Sequence, residues 1–321
     1  MERMILKRLV ASALTLLALS AMCFALLTLM PGDPIDQLVG SDPRVTPEDI
    51  ARLKAYYGVD QPFWARWQAW LARLASGEFG YSRLFAAPVA DVLGPALART
   101  AGLAAAALLI STVIGVSAGI VAALRPRSLF DHVASFLAFA GVAAPSFWLA
   151  LMAMALFSIT LGWLPASALP SDPEAGLLER LRHLIMPVAI LAALETAAIF
   201  RHARAAVGDA LLHQHVLTAR SKGLPGRRVI WGHVLPGAMI PLTTVLALDL
   251  GGLVSGALIV EVMFGLPGMG KLLYDAILGA DYNLAMAALM VGAGAIFLAN
   301  ALADMAYGLL DPRIQTGGLA P

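Results

Sequence analysis

The stretch AGLAAAALLISTVIGVSAGIVAAL, residues 101–124, carries no charged side chain and is built almost wholly from Ala, Leu, Ile, Val and Gly. A hydrocarbon core about 30 Å thick is crossed by roughly 20 apolar residues in helical form. This run alone therefore predicts a membrane-spanning helix. Working outward, five more runs of the same character lie near 9–30, 130–161, 184–204, 237–262 and 284–310. Together they predict an all-α integral membrane protein with six transmembrane helices. The run 130–161 exceeds what a bilayer requires, so it should tilt or protrude, and Pro145 should kink it. Composition agrees. Of 321 residues, 60% are hydrophobic and 13% charged, and the mean hydropathy is +0.79. Soluble chains average roughly 45–50% apolar and about 25% charged, so a soluble globular domain, a disordered chain, a coiled coil and a collagen-like chain are excluded. The net charge of +1 creates no basic field for nucleic acid. The one cysteine, Cys23, lies in an apolar run, which excludes an intrachain disulfide framework and a Cys-based zinc site.

The first run follows Arg3, Lys7 and Arg8, as a signal peptide would. Its apolar part is about 22 residues, against 7–15 for a cleavable h-region, so it reads as a retained helix. Lys and Arg distribution sets orientation. With the N-terminus inside, the inner segments hold Arg3, Lys7, Arg8, Arg125, Arg127, Arg201, Arg204, Arg220, Lys222, Arg227, Arg228 and Arg313, whereas the short outer loops hold only Arg180, Arg182 and Lys271. The loop 31–100 is long enough to translocate regardless of its charge. Both termini are expected in the cytoplasm.

The chain divides into a cytoplasmic N-terminus with the first helix (1–30), an external loop (31–100), a five-helix core (101–310) and a short Gly-rich cytoplasmic tail (311–321). Within the external loop, Phe63, Trp67, Trp70, Leu71 and Leu74 recur at helical spacing, predicting an amphipathic helix over 62–76. Trp64, Trp67 and Trp70 suit a helix lying on the membrane or capping the bundle; the alternative is a docking surface for an external partner. The segment 205–235 holds most of the cytoplasmic charge. His213–Ser221 should form a short helix ended by Gly223, Pro225 and Gly226, and Arg227–His233 another before Pro236. Two antiparallel helices need far less chain to connect them, so an elaborate loop here implies that something docks on it.

Four sets of residues invite a chemical reading. Gly265-Leu266-Pro267-Gly268-Met269-Gly270-Lys271 is spelled like a phosphate-binding loop, but Leu272 stands where a magnesium-binding Ser or Thr is needed and no strand precedes it. A tight re-entrant turn is the preferred reading. His213 and His215 at i and i+2 point to different helix faces and read as a solvated pair rather than metal ligands. Glu195 and Asp249 fall near the middle of their spans, where an acid costs on the order of 3 kcal/mol. They either line a polar path or pack the bundle in protonated or paired form. Asn300 and Asp304 share one face of the last helix, and Glu261 is expected at the outer end of the fifth run, within reach of water. No Ser-His-Asp order, HExxH or paired-carboxylate arrangement supports catalysis.

The inner loop reads Leu217-Thr218-Ala219-Arg220-Ser221-Lys222-Gly223, with Pro236 thirteen residues beyond Gly223. This resembles the signature of binding-protein-dependent ABC importer permeases. Leu217 replaces the usual acidic first position, as in the dipeptide/oligopeptide/nickel-type branch, whose loop reads close to TARAKG. The resemblance extends over nearly the whole chain: Pro31-Gly32-Asp33-Pro34, Tyr57-Gly58-Val59-Asp60-Gln61-Pro62, Gly77, Phe79-Gly80, Ser82, Pro88-Val89, Gly162-Trp163-Leu164-Pro165, His183-Leu184 with Pro187, Glu261 with Phe264 to Gly268, and Asp304 through Tyr307 to Asp311-Pro312-Arg313. The long loop after the first helix resembles the B-type member of the permease pair. Glu195 and Asp249 are not part of the branch pattern.

The resemblance implies one half of a heterodimeric channel in the bacterial inner membrane. A second, C-type permease subunit completes it, an external binding protein delivers substrate, and two cytoplasmic ATPases bind ATP and magnesium and drive alternating access. The chain itself would bind no cofactor and hydrolyse nothing. Leu217 to Gly223, with Pro236, would form the coupling helix region that meets the ATPases. The branch carries di- and oligopeptides, nickel complexes, glutathione and some sugars or opines. An ion-gradient-driven secondary transporter is the competing class; an intramembrane enzyme lacks a catalytic set, and the mid-membrane acids argue against a mere scaffold.

Overall fold

A computed structural model describes residues 2–29, 46, 48, 61–170, 172 and 174–310, and side chains among these except at 2–9, 27–29, 240, 244, 247–256 and 302–310. The architecture is helical. Element order is α1 (Glu2–Leu29), α2 (Phe63–Ala75), a two-stranded hairpin of β1 (Tyr81–Ser82) and β2 (Ala87–Pro88), α3 (Val89–Leu124), α4 (Leu129–Ala143), α5 (Ser146–Ala153) continuing as a π-helix (Met154–Thr160), α6 (Leu177–Leu211), α7 (Gln214–Ser221), α8 (Gly226–Val229) continuing as a π-helix (Ile230–Val234), α9 (Leu235–Phe264), α10 (Met269–Leu278) and α11 (Tyr282–Leu310).

Among the described residues, Val89–Leu124, Leu177–Leu211 and Tyr282–Ala301 are each long and apolar enough to cross a membrane, and two bent pairs raise the number to five if each is one span. The first helix contributes a shorter apolar stretch, Val10–Leu26. The chain is thus an all-α membrane protein, with three to five candidate spans among the described residues. The kink expected at Pro145 is a full break: α4 and the helix from Ser146 to Thr160 meet at 108°. A proline ring drives the preceding residue out of the α region, and Ala144 is extended, at φ −78° and ψ 128°.

The described residues form two compact units. One is drawn from Met1–Pro95 and Leu272–Gly294, the other from Ala96–Lys271 and Ala295–Pro321. In the first, α2 occupies the predicted 62–76 and packs against α1: the Trp67 indole N–H donates to the Ser20 hydroxyl at 3.2 Å, and Phe63 meets Phe24 edge-on. The hairpin is anchored by Asp281, 4% exposed, which accepts from the Ser82 hydroxyl (2.7 Å), the Leu84 amide and the Leu284 amide at the start of α11.

In the second unit, α6 is the central post. Its most extensive neighbour is α9, and it also packs on α4 and α5. Leu103, Ala107, Ala150, Met186, Ile190, Leu191, Ala257, Val260 and Phe264 form one core that joins α3, α5, α6 and α9. Small residues set the α3–α6 approach. A Cβ on Gly115 would lie 2.9 Å from the Ile199 side chain, and one on Gly119 would lie 2.9 Å from the Arg204 amide nitrogen. The four-residue spacing puts both glycines on one face of α3. At the same end, Asp131, 3% exposed, accepts from the guanidinium of Arg204 through two nitrogens and from the Arg127 amide at 2.9 Å. Ser128 caps α4 by accepting from the Asp131 amide.

Candidate functional site

The segment 205–235 begins on the last turns of α6 and ends where α9 starts. Its helix α7 (Gln214–Ser221) is begun by His213, whose carbonyl accepts from the Val216 and Leu217 amides. One residue fewer than expected is helical, because His213 sits at the cap position with φ −66° and ψ 142°. Val216 and Ala219, at i and i+3, are the buried face, at 0% and 4% exposure. They join Val207, Ala210, Val229, Val234, Leu235 and Ala238 in a cluster of their own, with Leu224 packed against it. The short helix is therefore welded to α6 and α9. A side-chain tether adds to this: the His215 ring Nε2 lies 3.1 Å from the His233 carbonyl oxygen.

Opposite the buried face, Leu217, Thr218, Arg220, Ser221, Lys222 and Gly223 are all exposed. The end of α7 shows why Gly223 is needed. Its φ is +75°, a region that strains any residue with a Cβ. Its amide donates to the Arg220 carbonyl and the Leu224 amide to the Ala219 carbonyl, the paired bonds of a Schellman cap with its hydrophobic contact. Of the seven loop residues expected to act together, Leu217 to Ser221 lie on α7, Lys222 caps it and Gly223 follows, with Ala219 as the anchor.

Pro236 behaves differently from expectation. The helix after Pro225 does not end before it. The π-turn Ile230–Val234 runs directly into α9, with Pro236 in the first turn and exposed. Proline lacks an amide and its ring collides with the carbonyl four residues back. The wider i→i+5 turn, in which the Leu235 amide donates to the Ile230 carbonyl, loosens that demand, so the chain continues as helix.

At the other end of α9 stands a cluster that the sequence reading misplaced. Glu261, expected within reach of water, is 0% exposed. One carboxylate oxygen accepts from the Gly270 and Lys271 amides at 2.8 and 3.1 Å. The other accepts from the Thr100 hydroxyl on α3, and Thr100 Oγ1 in turn accepts from the Met269 amide at 2.8 Å. The first three amides of α10, otherwise orphans of a helix start, are all satisfied by these two side chains. This accounts for the phosphate-loop spelling. The loop does cradle an acidic group with its backbone amides, and that group is the chain's own Glu261 side chain. A Cβ on Gly268 would collide with the Glu261 carboxylate, and one on Gly270 would lie 2.7 Å from the Leu258 Cβ. Gly265, at φ +66°, ends α9, and the Arg99 guanidinium donates to the Pro267 carbonyl at 3.2 Å. The signal available in the sequence was Glu261 itself, four residues before the close-spaced glycines Gly265, Gly268 and Gly270.

The mid-span acids are only partly described. Glu195 is half-buried in the middle of α6 and is not without a partner there. The side chains of Asp249 and Asp304 lie outside the described residues, as do 31–34, 57–60 and the tail 311–321; Asn300 is half-buried on α11.

Residues 115–316 match the family described as binding-protein-dependent transport system inner membrane component, and residues 1–104 match the N-terminal region of such membrane components. The chain is 35% identical to the di/tripeptide transport system permease protein DppB of Pseudomonas aeruginosa over 94% of its length and 95% of the relative's. It is 31% identical to the oligopeptide transport system permease protein AppB of Bacillus subtilis, covering 98% and 100%, and 31% identical to the dipeptide transport system permease protein DppB of Escherichia coli K12, covering 98% and 99%. An all-α membrane core, a braced and charged loop between two of its helices, and full-length similarity to such permeases converge: the chain belongs to the inner membrane components of binding-protein-dependent transport systems, the multi-pass permease subunits of ABC importers.

Proposed function

We propose that this permease subunit carries di- and oligopeptides delivered by an external binding protein. The observation that supports this most is similarity at 31–35% identity, over nearly the whole length of both chains, to permeases named for di/tripeptides, dipeptides and oligopeptides. In this reading the chain pairs with a second, C-type permease subunit and two ATPase subunits. It hydrolyses nothing and binds no cofactor; ATP and magnesium act in the ATPases. Both termini face the cytoplasm, which places the segment 205–235 on the side where ATP is found.

Leu217, Thr218, Arg220, Ser221, Lys222 and Gly223 then form the surface on which an ATPase docks, with Ala219 anchoring the helix and Pro236 opening α9 behind it. The docking helix must transmit force, and α7 suits that role because Val216 and Ala219 tie it to both α6 and α9. Glu195 and Asp249 line the path and favour a cationic substrate group.

The test is ATP-dependent uptake by the complete complex in vesicles with loaded binding protein. Peptide uptake that requires ATP, and that neither a proton nor a sodium gradient replaces, is expected. Uptake of a nickel complex or glutathione with no peptide uptake would change the substrate assignment. Gradient-driven uptake without ATPases would refute the coupling role.

A further inference from the structure

Helix α9 begins beside the coupling loop, at Leu235, and reaches Glu261 at its far end. Twenty-six residues at 1.5 Å each make that distance about 39 Å. The end next to the coupling loop is held by apolar packing of Val234, Leu235 and Ala238. The far end is held by a buried polar cluster in which no donor among the Met269, Gly270 and Lys271 amides and the Thr100 hydroxyl lacks an acceptor. Burial of an ionisable carboxylate at a helix end is costly unless its lone pairs are filled. An apolar side chain here would leave the Gly270 and Lys271 amides and the Thr100 hydroxyl buried without acceptors, so the cluster holds as a set and is released as a set.

We infer that Glu261 and Thr100 are the positioning pair of a latch, which fixes the first turn of α10 to the end of α9 and to α3, and whose integrity couples ATP hydrolysis to transport. This rests on the permease reading above. The geometry has two properties that a latch requires. It is discrete: Thr100 is donor to Glu261 and acceptor from Met269 at once, so removing its hydroxyl breaks both contacts together. It is also without slack, because Gly268 and Gly270 admit no Cβ against the carboxylate and against Leu258. A rotation of α9 begun at the coupling loop therefore reaches α3 and the first turn of α10 as one displacement instead of being absorbed by loose side chains. The Arg99 to Pro267 bond braces the intervening loop from the residue next to Thr100.

The experiment uses the complete complex, in a Cys23→Ser background with Met269→Cys as reporter. Cys23 is the chain's only cysteine, and Met269 is 4% exposed. Three variants are compared with this background: Glu261→Gln, Thr100→Val and Thr100→Ser. Two readouts are taken. The first is maleimide labelling of position 269 in detergent, which needs no substrate. The second is peptide uptake per ATP hydrolysed in vesicles. With the latch intact, labelling is slow. Glu261→Gln and Thr100→Val are expected to speed it by about tenfold and to lower uptake per ATP by a similar factor, within the range of measured couplings between sites. Thr100→Ser, which keeps the hydroxyl, is expected to preserve both.

Unchanged uptake per ATP in both Glu261→Gln and Thr100→Val overturns the inference. So does loss of assembly in Glu261→Gln alongside an assembled Thr100→Val with normal coupling, because the pair then serves folding only. If the unmodified complex shows no ATP-dependent peptide uptake, the peptide-import reading fails, and the labelling comparison still decides whether the pair holds the first turn of α10.

Discussion

Arg204 grips Asp131 through two guanidinium nitrogens, joining the start of α4 to α6 across 73 residues of sequence. Asp131 also accepts from the Arg127 amide, so a single buried carboxylate closes the α3–α4 turn and fixes it to the helix that leads into the segment 205–235.

Replacing Asp131 by Ala should leave Arg204 facing a buried gap. Breaking a fully buried pair costs about 3–5 kcal/mol, and with the Arg204 side chain 41% exposed a loss of about 2 kcal/mol is expected. The thermal midpoint of the complex in detergent should fall for Asp131→Ala, and for the double variant with Arg204→Ala it should fall by less than the sum of the singles.

At Gly223 the expected order is Gly, then Asn, then Val. No atom lies within 4 Å of a Cβ built there, so the penalty comes from the backbone at φ +75° and not from a clash. A left-handed residue with a side chain costs roughly 1–2 kcal/mol, and Asn tolerates the region best. Gly223→Val should uncouple hydrolysis from uptake while membrane insertion is kept, and Gly223→Asn should retain most coupling. Normal uptake by Gly223→Val would remove α7 from the coupling role.

Gly119→Val should separate α3 from α6. Overpacking of this kind costs typically 1–3 kcal/mol, and the added atoms meet the backbone of Arg204 and the side chain of Ala203. Gly102→Ala, on the same helix and with no atom within 4 Å of its Cβ, should be near neutral. Thermal midpoints of the two variants, measured side by side, provide the check.

Topology is tested with reporters. A fusion after Arg313 should be active only in the cytoplasm and an insertion near Ser76 only outside, on the strength of the Lys and Arg asymmetry between short loops. Opposite labelling at either position would invert the assignment of 205–235 to the ATPase side.

Glu195→Gln and Asp249→Asn keep shape and hydrogen bonding and remove charge. If these acids line the path, uptake of a cationic peptide should fall by several-fold while a neutral analogue is largely unaffected. Equal transport of both would reduce the two acids to packing.

By itself the sequence determined what depends on neighbours along the chain. Apolar runs marked the membrane helices, since in lipid a single segment satisfies its own backbone only as a helix. Helical spacing of Phe63, Trp67 and Trp70 located α2 to within a residue at each end. Gly223 announced a left-handed helix end. Tertiary structure alone decided what depends on residues far apart. Glu261 looked water-accessible because nothing local shows that Thr100, 161 residues away, will close over it. The glycines after it are spelled like a phosphate loop and read as a tight turn, and only the fold reveals that amides of that turn donate to the chain's own Glu261. Pro236 looked like a boundary because an α-helix cannot easily hold a proline, and the π-turn that accommodates it lies between Val229 and Leu235, in a cluster built with α6 and α7. Asp131 and Arg204, 73 residues apart, carry no mutual signal in the sequence. Local propensity is written residue by residue, whereas a buried charge is tolerable only where the fold brings its partner.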